Sequence, residues 1–561
     1  MATWADIQSW DHNAIIEAED LIEEKVREAR EIIADLEHAA NDIRSQGEAP
    51  DRMRQRLTEI QDKLDSRLNE LTEYALATAE LHGYVSRVVA IRESAYEVAA
   101  ELNYEIPADG KVVNRESMKE RPSPVKSNKY GELSDCVSEA VRLATEAEET
   151  VGPRYRALAD GQYAMDEGRH SESAGLANDA DPSWTPEEVS VWWKLLSDSE
   201  REALINKDPE KYGNLDGIDM ASRAKANELV LLGPKDASGQ HIPGGGLLGQ
   251  AERDLADAEE AVTRARRAGS LSPQHLAELI QKRDDARNRV DDLKALREQM
   301  RDPEVTLVAL QPGKPGEDVR AALAIGDVDN ADHVATLVPG RTTNCRDSSA
   351  DNVTYAQNLR QAAARQGNID PSKVATIAWM NYHAPQGGPD ARTMTASLAR
   401  EGADPLRNFA TGIHSWRSER GMDVHQSIIP HSYGSTTAGI AMRSIGKGVV
   451  DDFAYTGSPG AGVQSLGTLG VDKEHVWVSG ITHLDWVRGM GPDEDFGRNP
   501  EQLEGIGHLS GDASGAKGYE VGFKGDPFDN HSMYFVEPTA GQENLVLNDL
   551  GKVIADVKER G

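Results

Sequence analysis

The stretch Ser427-Ile428-Ile429-Pro430-His431-Ser432-Tyr433-Gly434-Ser435 decides how the 561-residue chain is read. An apolar run of β type (Val424, Ile428, Ile429) stops at His-Ser-Tyr-Gly, and small residues suited to a helix follow at once (Thr436, Thr437, Ala438, Gly439, Ile440, Ala441). Strand, sharp turn bearing a serine, then helix is the layout of a nucleophile elbow, where small neighbours let the chain turn tightly enough to lift the hydroxyl clear of the sheet. The usual pattern is Gly-x-Ser-x-Gly, and Pro430 stands where the first glycine belongs. Taken alone, the nine residues fit an elbow or an ordinary strand-to-helix turn equally well.

Around this stretch, short β-type runs alternate with helical patterns: Val305–Leu310, Ala321–Ile325, His333–Val338, Val374–Trp379, His425–Ile429, Val449–Tyr455 and His475–Ser479, with helices expected at about 350–366, 390–402 and 435–445. Such alternation predicts a mostly parallel sheet covered by helices, an α/β domain filling 303–561. Ser432 then falls at the carboxyl end of a strand, where these sheets build their sites.

The N-terminal half reads differently. Leu21, Ile22, Val26, Ala29, Ile32, Ile33 and Leu36 recur at helical steps, and after the break Gln46-Gly47-Glu48-Ala49-Pro50 the pattern resumes with Met53, Leu57, Ile60, Leu64, Leu68 and Leu71. Residues 1–102 are therefore expected to form a helical hairpin of coiled-coil type, a surface suited to a protein partner or to self-association. Residues 103–182 read as linker (103–130), helix (131–170) and a second polar linker (171–182). Residues 183–302 hold a tryptophan-containing helical segment and a charged helical pair. Thr185-Pro186-Glu187-Glu188 is a capping box, and a second helix start follows at Ser197-Asp198-Ser199-Glu200. Trp184, Trp192 and Trp193 at helical spacing read as core rather than as a ligand platform. In the pair at 250–301, broken at Gly269-Ser270-Leu271-Ser272-Pro273, interleaved opposite charges read as a solvated face.

A net charge of −34 with 38% hydrophobic residues argues against duplex nucleic acid or an anionic membrane surface as a partner, since both are polyanions. No apolar run is long enough for a transmembrane helix, and Met1-Ala2-Thr3-Trp4-Ala5-Asp6 lacks the features of a general secretory signal, which makes the cytoplasm the default expectation. Cys136 and Cys345 offer neither a disulfide framework nor metal-ligand spacing. The histidines show no compact ligand pattern, and Pro243-Gly244-Gly245-Gly246 is not followed by a phosphate-loop lysine, so neither metal nor cofactor is expected.

A serine nucleophile needs a base within reach and an acid to orient it, in the order serine, acid, histidine for this kind of sheet. Asp485 follows the strand at 475–479, where an orienting carboxylate is expected; Asp493 and Asp495 are the alternatives, and Asp451-Asp452 lies at the wrong end of its strand. Only His508 and His531 come later, and the position of His531 near the chain end favours it. His431, next to the serine, is expected to point away from the site. The oxyanion hole calls for the N–H of Tyr433 and one from Val338-Pro339-Gly340-Arg341-Thr342-Thr343; Pro339 has none, which leaves Gly340 or Arg341.

The C-terminal region resembles an actinobacterial α/β-hydrolase family once catalogued as a domain of unknown function. The resemblance is carried by His333-Val334-Ala335-Thr336-Leu337-Val338-Pro339-Gly340, Trp379-Met380-Asn381-Tyr382-His383-Ala384-Pro385, His431-Ser432-Tyr433-Gly434-Ser435-Thr436, Gly457-Ser458-Pro459-Gly460 and His531-Ser532-Met533-Tyr534-Phe535. Gly213-Asn214-Leu215-Asp216-Gly217 is similar to a segment preceding the hydrolase in many members. The resemblance implies a triad of Ser432, Asp485 and His531. The N-terminal hairpin is similar to the small WXG-type helical proteins of type VII secretion, although Arg44-Ser45-Gln46-Gly47 stands where the Trp-x-Gly turn belongs. That similarity implies export by a type VII-like route as the alternative to the cytoplasm. The expected activity is hydrolysis of a carboxylic or lipid ester through an acyl-enzyme; the alternative is a catalytically silent hydrolase fold that works with its helical arm as an interaction protein.

Overall fold

The computed structural model describes residues 2–11, 13–114, 124–160, 179–268, 272–314, 316–386, 391–481, 485–521 and 530–557. Parts of the expected linkers (115–123 and 171–178), the end of the helix expected over 131–170 (161–170) and the break at 269–271 lie outside them. None of the described helices is long and apolar enough to cross a membrane.

Helix α1 (Asn13–Asp42) turns at residues 43–47 into α2 (Glu48–Leu102), 55 residues long, and the two pack as the expected hairpin. Helix α3 (Pro124–Ala159) adds a third member, with Leu133, Val137, Ala140, Leu143 and Ala147 buried against Val88, Ile91, Ala95 and Val98 of α2. Leu21, Ile32 and Met53 on the hairpin remain exposed. The capping box at Thr185 forms at the start of α4 (Pro186–Leu195), and the second start, at Ser197, opens α5 (Asp198–Lys207) with a capping box of its own. The indoles of Trp192 and Trp193 are buried and packed with Tyr212, so they are core, as their spacing indicated.

Helix α6 (Met220–Leu232) and the charged pair α7 (Gly246–Ala268) and α8 (Pro273–Gln299) lead into an eight-stranded sheet: β1 (Val305–Gln311), β2 (Arg320–Ile325), β3 (His333–Val338), β4 (Val374–Met380), β5 (His425–Pro430), β6 (Asp452–Thr456), β7 (Val476–Ser479) and β8 (Gly507–His508). The spatial order is β1-β2-β4-β3-β5-β6-β7-β8, with β1–β2 and β2–β4 antiparallel and every other pair parallel. Helices α9 (Cys345–Gly367), α10 (Ser397–Glu419), α11 (Tyr433–Met442) and α12 (Leu545–Ile554) cover it. The buried central strands read as near-continuous apolar runs, as a parallel sheet covered on both faces requires.

Two features depart from the local pattern. Gly402-Ala403-Asp404-Pro405 does not end the helix expected over 390–402; α10 runs on to Glu419 because Phe409, Ile413 and Trp416 are buried along it. Gly402 is required there for a different reason: a methyl group would stand 2.9 Å from the Cβ of Tyr382 and 3.0 Å from Thr437. The charged pair is also not wholly solvated. It carries exposed bridges such as Arg287–Glu259 and Lys294–Glu252, but Asp292 of α8 is buried, accepting from the N–H groups of Val319 and Arg346 and pairing with the Arg346 guanidinium. Val230, Leu231, Leu293 and Leu296 share one apolar cluster with β1, β2 and α9, so a cut at 302/303 runs through packed core.

Candidate active site

Strand β5 continues its parallel ladder past its own end: the N–H of His431 donates to Val338 (2.9 Å) and that of Ser432 to Thr456 (3.0 Å). The chain then reverses into α11 through Ser432, whose φ of 55° and ψ of −133° lie in a region that L-residues avoid. Pro430 does not disturb this turn. It ends the strand opposite Val338, and its carbonyl accepts from the Thr456 hydroxyl at 2.8 Å. A proline ring is compatible with a strand end, where its missing N–H breaks no ladder bond that matters.

Gly340 lies directly against the turn. A methyl there would stand 2.5 Å from the Cβ of Ser432 and 2.8 Å from both its Oγ and the Tyr433 nitrogen, so no other residue fits without displacing the serine. The loop is pinned from several sides: Tyr382 donates to the Pro339 carbonyl (2.7 Å), Thr343 to that of Gly340 (2.7 Å), and Thr342, at φ 63°, to that of Pro385 (2.8 Å). The N–H groups of Gly340, Arg341 and Tyr433 donate to none of the described residues.

Asp485 follows strand β7, and His531 stands just before the short turn at Met533–Phe535. The imidazole Nδ1 of His531 lies 2.9 Å from Asp485 Oδ1, and His531 Nε2 is buried with no partner among the described residues. Asp485 Oδ1 also accepts from the N–H of Val487 (3.2 Å), and Oδ2 from the Tyr534 hydroxyl (2.5 Å), which in turn accepts from the N–H of Ile481. Burial pushes the Asp485 carboxyl upward, but the imidazole of His531 and the Tyr534 hydroxyl outweigh it and hold the group below the usual carboxylate range. The same geometry drives the Tyr534 phenol well above its ordinary value, through burial first and the adjacent carboxylate second. Gly457, at φ 53°, keeps this corner clear, since a side chain there would meet His531 Cε1 at 3.0 Å and Asp485 Oδ2 at 3.1 Å.

Ser432, His531, Gly340, Arg341 and Tyr433 all line one cavity of about 520 Å³. Its lining includes apolar Met394, Val487, Met490 and Phe496 and polar Ser348, Asp351 and Asn352. His431, expected to point away, instead lines this cavity and packs against His531 with ring centroids 4.5 Å apart and planes tilted by 36°, donating from Nε2 to the His531 carbonyl at 2.7 Å. Complete burial and the neighbouring imidazole push its pKa down to about 3, so it is a neutral support for the second ring. The alternative acids and base lie elsewhere. Asp495 is tied to Arg400 and the N–H of Ala396, Asp493 begins a short helix, Asp452 heads β6 at the other end of the sheet, and His508 is exposed on the edge strand β8. The contribution of Tyr534 was not read from the sequence, although it stands in the run that follows His531.

A family model described as an alpha/beta hydrolase matches residues 314–493. Among curated relatives, the uncharacterized protein Rv2079 of Mycobacterium tuberculosis is 30% identical over 359 residues, which cover 61% of this chain and 48% of the relative. The uncharacterized protein Mb0988c of Mycobacterium bovis is 33% identical over 230 residues, 40% of this chain and 84% of the relative. The chain thus spans about half the length of the first of these two. No solved structure matches it. With one relative matched along most of its length and the family model lying across the parallel sheet, the chain belongs to the α/β-hydrolase family.

Proposed function

We propose that the protein is a serine hydrolase acting on carboxylic or lipid esters, with Ser432, His531 and Asp485 as its triad. The observation that carries this reading is the His531 imidazole, held by Asp485 at Nδ1 while its buried Nε2 is left unpartnered beside the cavity that Ser432 also lines. Ser432 Oγ attacks the acyl carbonyl carbon and its proton passes to His531 Nε2. Asp485 stabilises the resulting imidazolium without taking a proton. The undonated N–H groups of Tyr433 and of Arg341 or Gly340 receive the negative oxygen. Collapse of the tetrahedral species returns the proton to the leaving alcohol, and a water molecule then cleaves the acyl-enzyme by the same route. The apolar part of the lining suits an acyl chain, which supports an ester with a hydrophobic acid portion.

Labelling with a fluorophosphonate tests the chemistry. The full chain is expected to label at Ser432 and lose the label in Ser432→Ala; equal labelling of both proteins sinks the reading. For the N-terminal hairpin we keep the assembly role, carried by exposed Leu21, Ile32 and Met53. Replacing the three with serine is expected to lower the sedimentation coefficient of the full chain while leaving ester turnover intact, and an unchanged coefficient removes that role.

A further inference from the structure

Most of the apolar lining of the cavity comes from two segments outside the sheet. Met394 belongs to the turn before α10, and Met490 and Phe496 to the stretch after Asp485. The second segment is anchored to the loop that follows β6. The N–H groups of Gly489 and Gly491 donate to the carbonyls of Ser458 (2.8 Å) and Pro459 (3.0 Å), and the carbonyl of Phe496 accepts from the N–H of Gly462 (2.7 Å). The first segment has a different tie. Helix α10 starts after Ala396, whose side chain has no oxygen with which to cap it. In a capping box an acid three residues on accepts from the N–H of the capping residue. Here the acid comes from the other segment, 99 residues along the chain: Asp495 Oδ2 accepts from the N–H of Ala396 at 2.8 Å, and Oδ1 pairs with Nη2 of Arg400 at 2.5 Å.

We propose that Asp495 is a positioning residue for the acyl portion of the substrate: it fastens the Met394 segment to the Met490–Phe496 segment and so makes the cavity selective for medium and long acyl chains. This role presupposes the ester hydrolysis proposed above.

Two further observations support it. Tyr433 makes the same link from beside the nucleophile. Its hydroxyl donates to the carbonyl of Thr395 at 2.7 Å and accepts from the N–H of Ala399 at 3.2 Å, while its ring meets Phe496 edge to face at 5.8 Å. The residue whose N–H is offered to the oxyanion thus touches both segments, and a shift of either one moves the acyl lining relative to Ser432. Met394 and Met490, although they line the cavity, are 64% and 55% exposed. Unbranched thioether side chains with so little packed around them take their place from the backbone beneath, which is what Asp495 holds. The ion pair itself is partly solvated, with Arg400 55% and Asp495 30% exposed, so as a mere surface bridge it would leave the kinetic constants where they are.

The test uses the full chain and a series of aryl esters from acetyl to dodecanoyl. Asp495→Ala is expected to raise KM for the decanoyl and dodecanoyl esters roughly tenfold while kcat, and KM for the acetyl ester, stay within about twofold. Asp495→Asn keeps an acceptor for the N–H of Ala396 and is expected to restore most of the loss; Arg400→Gln, at an exposed position, should shift KM in the same direction by less. A shift of equal size for every chain length, or none, overturns the proposal. Binding of the neutral ketone 2-decanone, followed by calorimetry, needs no turnover: Asp495→Ala is expected to bind it roughly tenfold more weakly than wild type at unchanged circular dichroism. Equal affinity in the two proteins, or no binding by wild type, also overturns it. If the fluorophosphonate leaves Ser432 unlabelled while Asp495→Ala still weakens ketone binding, the hydrolase reading fails and the positioning role stands.

Discussion

Two histidine–aspartate pairs occupy opposite ends of the same sheet, and their surroundings differ. At the carboxyl end, His531 presents Nδ1 to Asp485 at 2.9 Å and leaves Nε2 buried and unpartnered beside a cavity. At the amino end, His425 Nε2 pairs with Asp452 Oδ2 at 3.0 Å, while the second carboxylate oxygen accepts from the Trp477 indole. In the first pair the ring's other nitrogen meets no described residue, as the proposed triad needs. In the second, ring and carboxylate pair with each other and with their neighbours. A similar separation therefore says little about role; the partners of the other nitrogen and of the second oxygen say more.

The largest effect is expected beside the first pair: Ser432→Ala should lower ester turnover by roughly 10⁴–10⁶, measured against an aryl ester panel. Asp485→Asn should follow with a loss of about 10²–10⁴, because the amide no longer selects the tautomer that leaves Nε2 free to accept. If it instead retains near-wild-type kcat, the contrast between the two pairs collapses. Gly340→Ala comes next. The methyl has no room beside Ser432 and the Tyr433 nitrogen, and a drop of about 10²-fold in kcat/KM is expected with the cavity mouth otherwise unchanged. Tyr534→Phe removes the donor on Asp485 Oδ2 and leaves the N–H of Ile481 without its acceptor; it should cost about 1–3 kcal/mol in urea unfolding, with a smaller effect on turnover.

The smallest effect is a slope. His431 is held neutral in the fold, with its pKa pushed down to about 3 by burial and by His531, whereas the unfolded chain protonates near the ordinary value of about 6.5. Between those limits the unfolded state binds the extra proton. The contribution of His431 is thus fully present above about pH 6.5 and is lost as pH falls toward 3, by up to about 1.4 kcal/mol per pH unit. Urea melts from pH 4 to 7 should show this slope flattened in His431→Asn; an unchanged slope assigns it to other groups.

Much of the candidate site is written in short patterns. The strand that ends at Pro430, the small residues after Ser432 and the loop at Gly340 are local features, and each lies where the sheet has its carboxyl end. Position along the chain narrowed the later histidines to two. It could not say that His431 would pack against His531, or that the Tyr534 hydroxyl would donate to the second carboxylate oxygen of Asp485, because both contacts depend on how the last loops fold back over β5 and β7. The helix that runs through Pro405 and the sharing of core between α8 and α9 were equally hidden, since long-range burial there overrides local propensity.

By itself, the sequence determined the order of elements, the class of sheet and the tight turn at Ser432, because periodicity and small-residue turns act over a few neighbouring residues. Only the tertiary structure decided which nitrogen of which histidine meets which carboxylate, at either end of the sheet. Those contacts join segments up to 100 residues apart, and their chemistry depends on alignment and burial that no local pattern encodes.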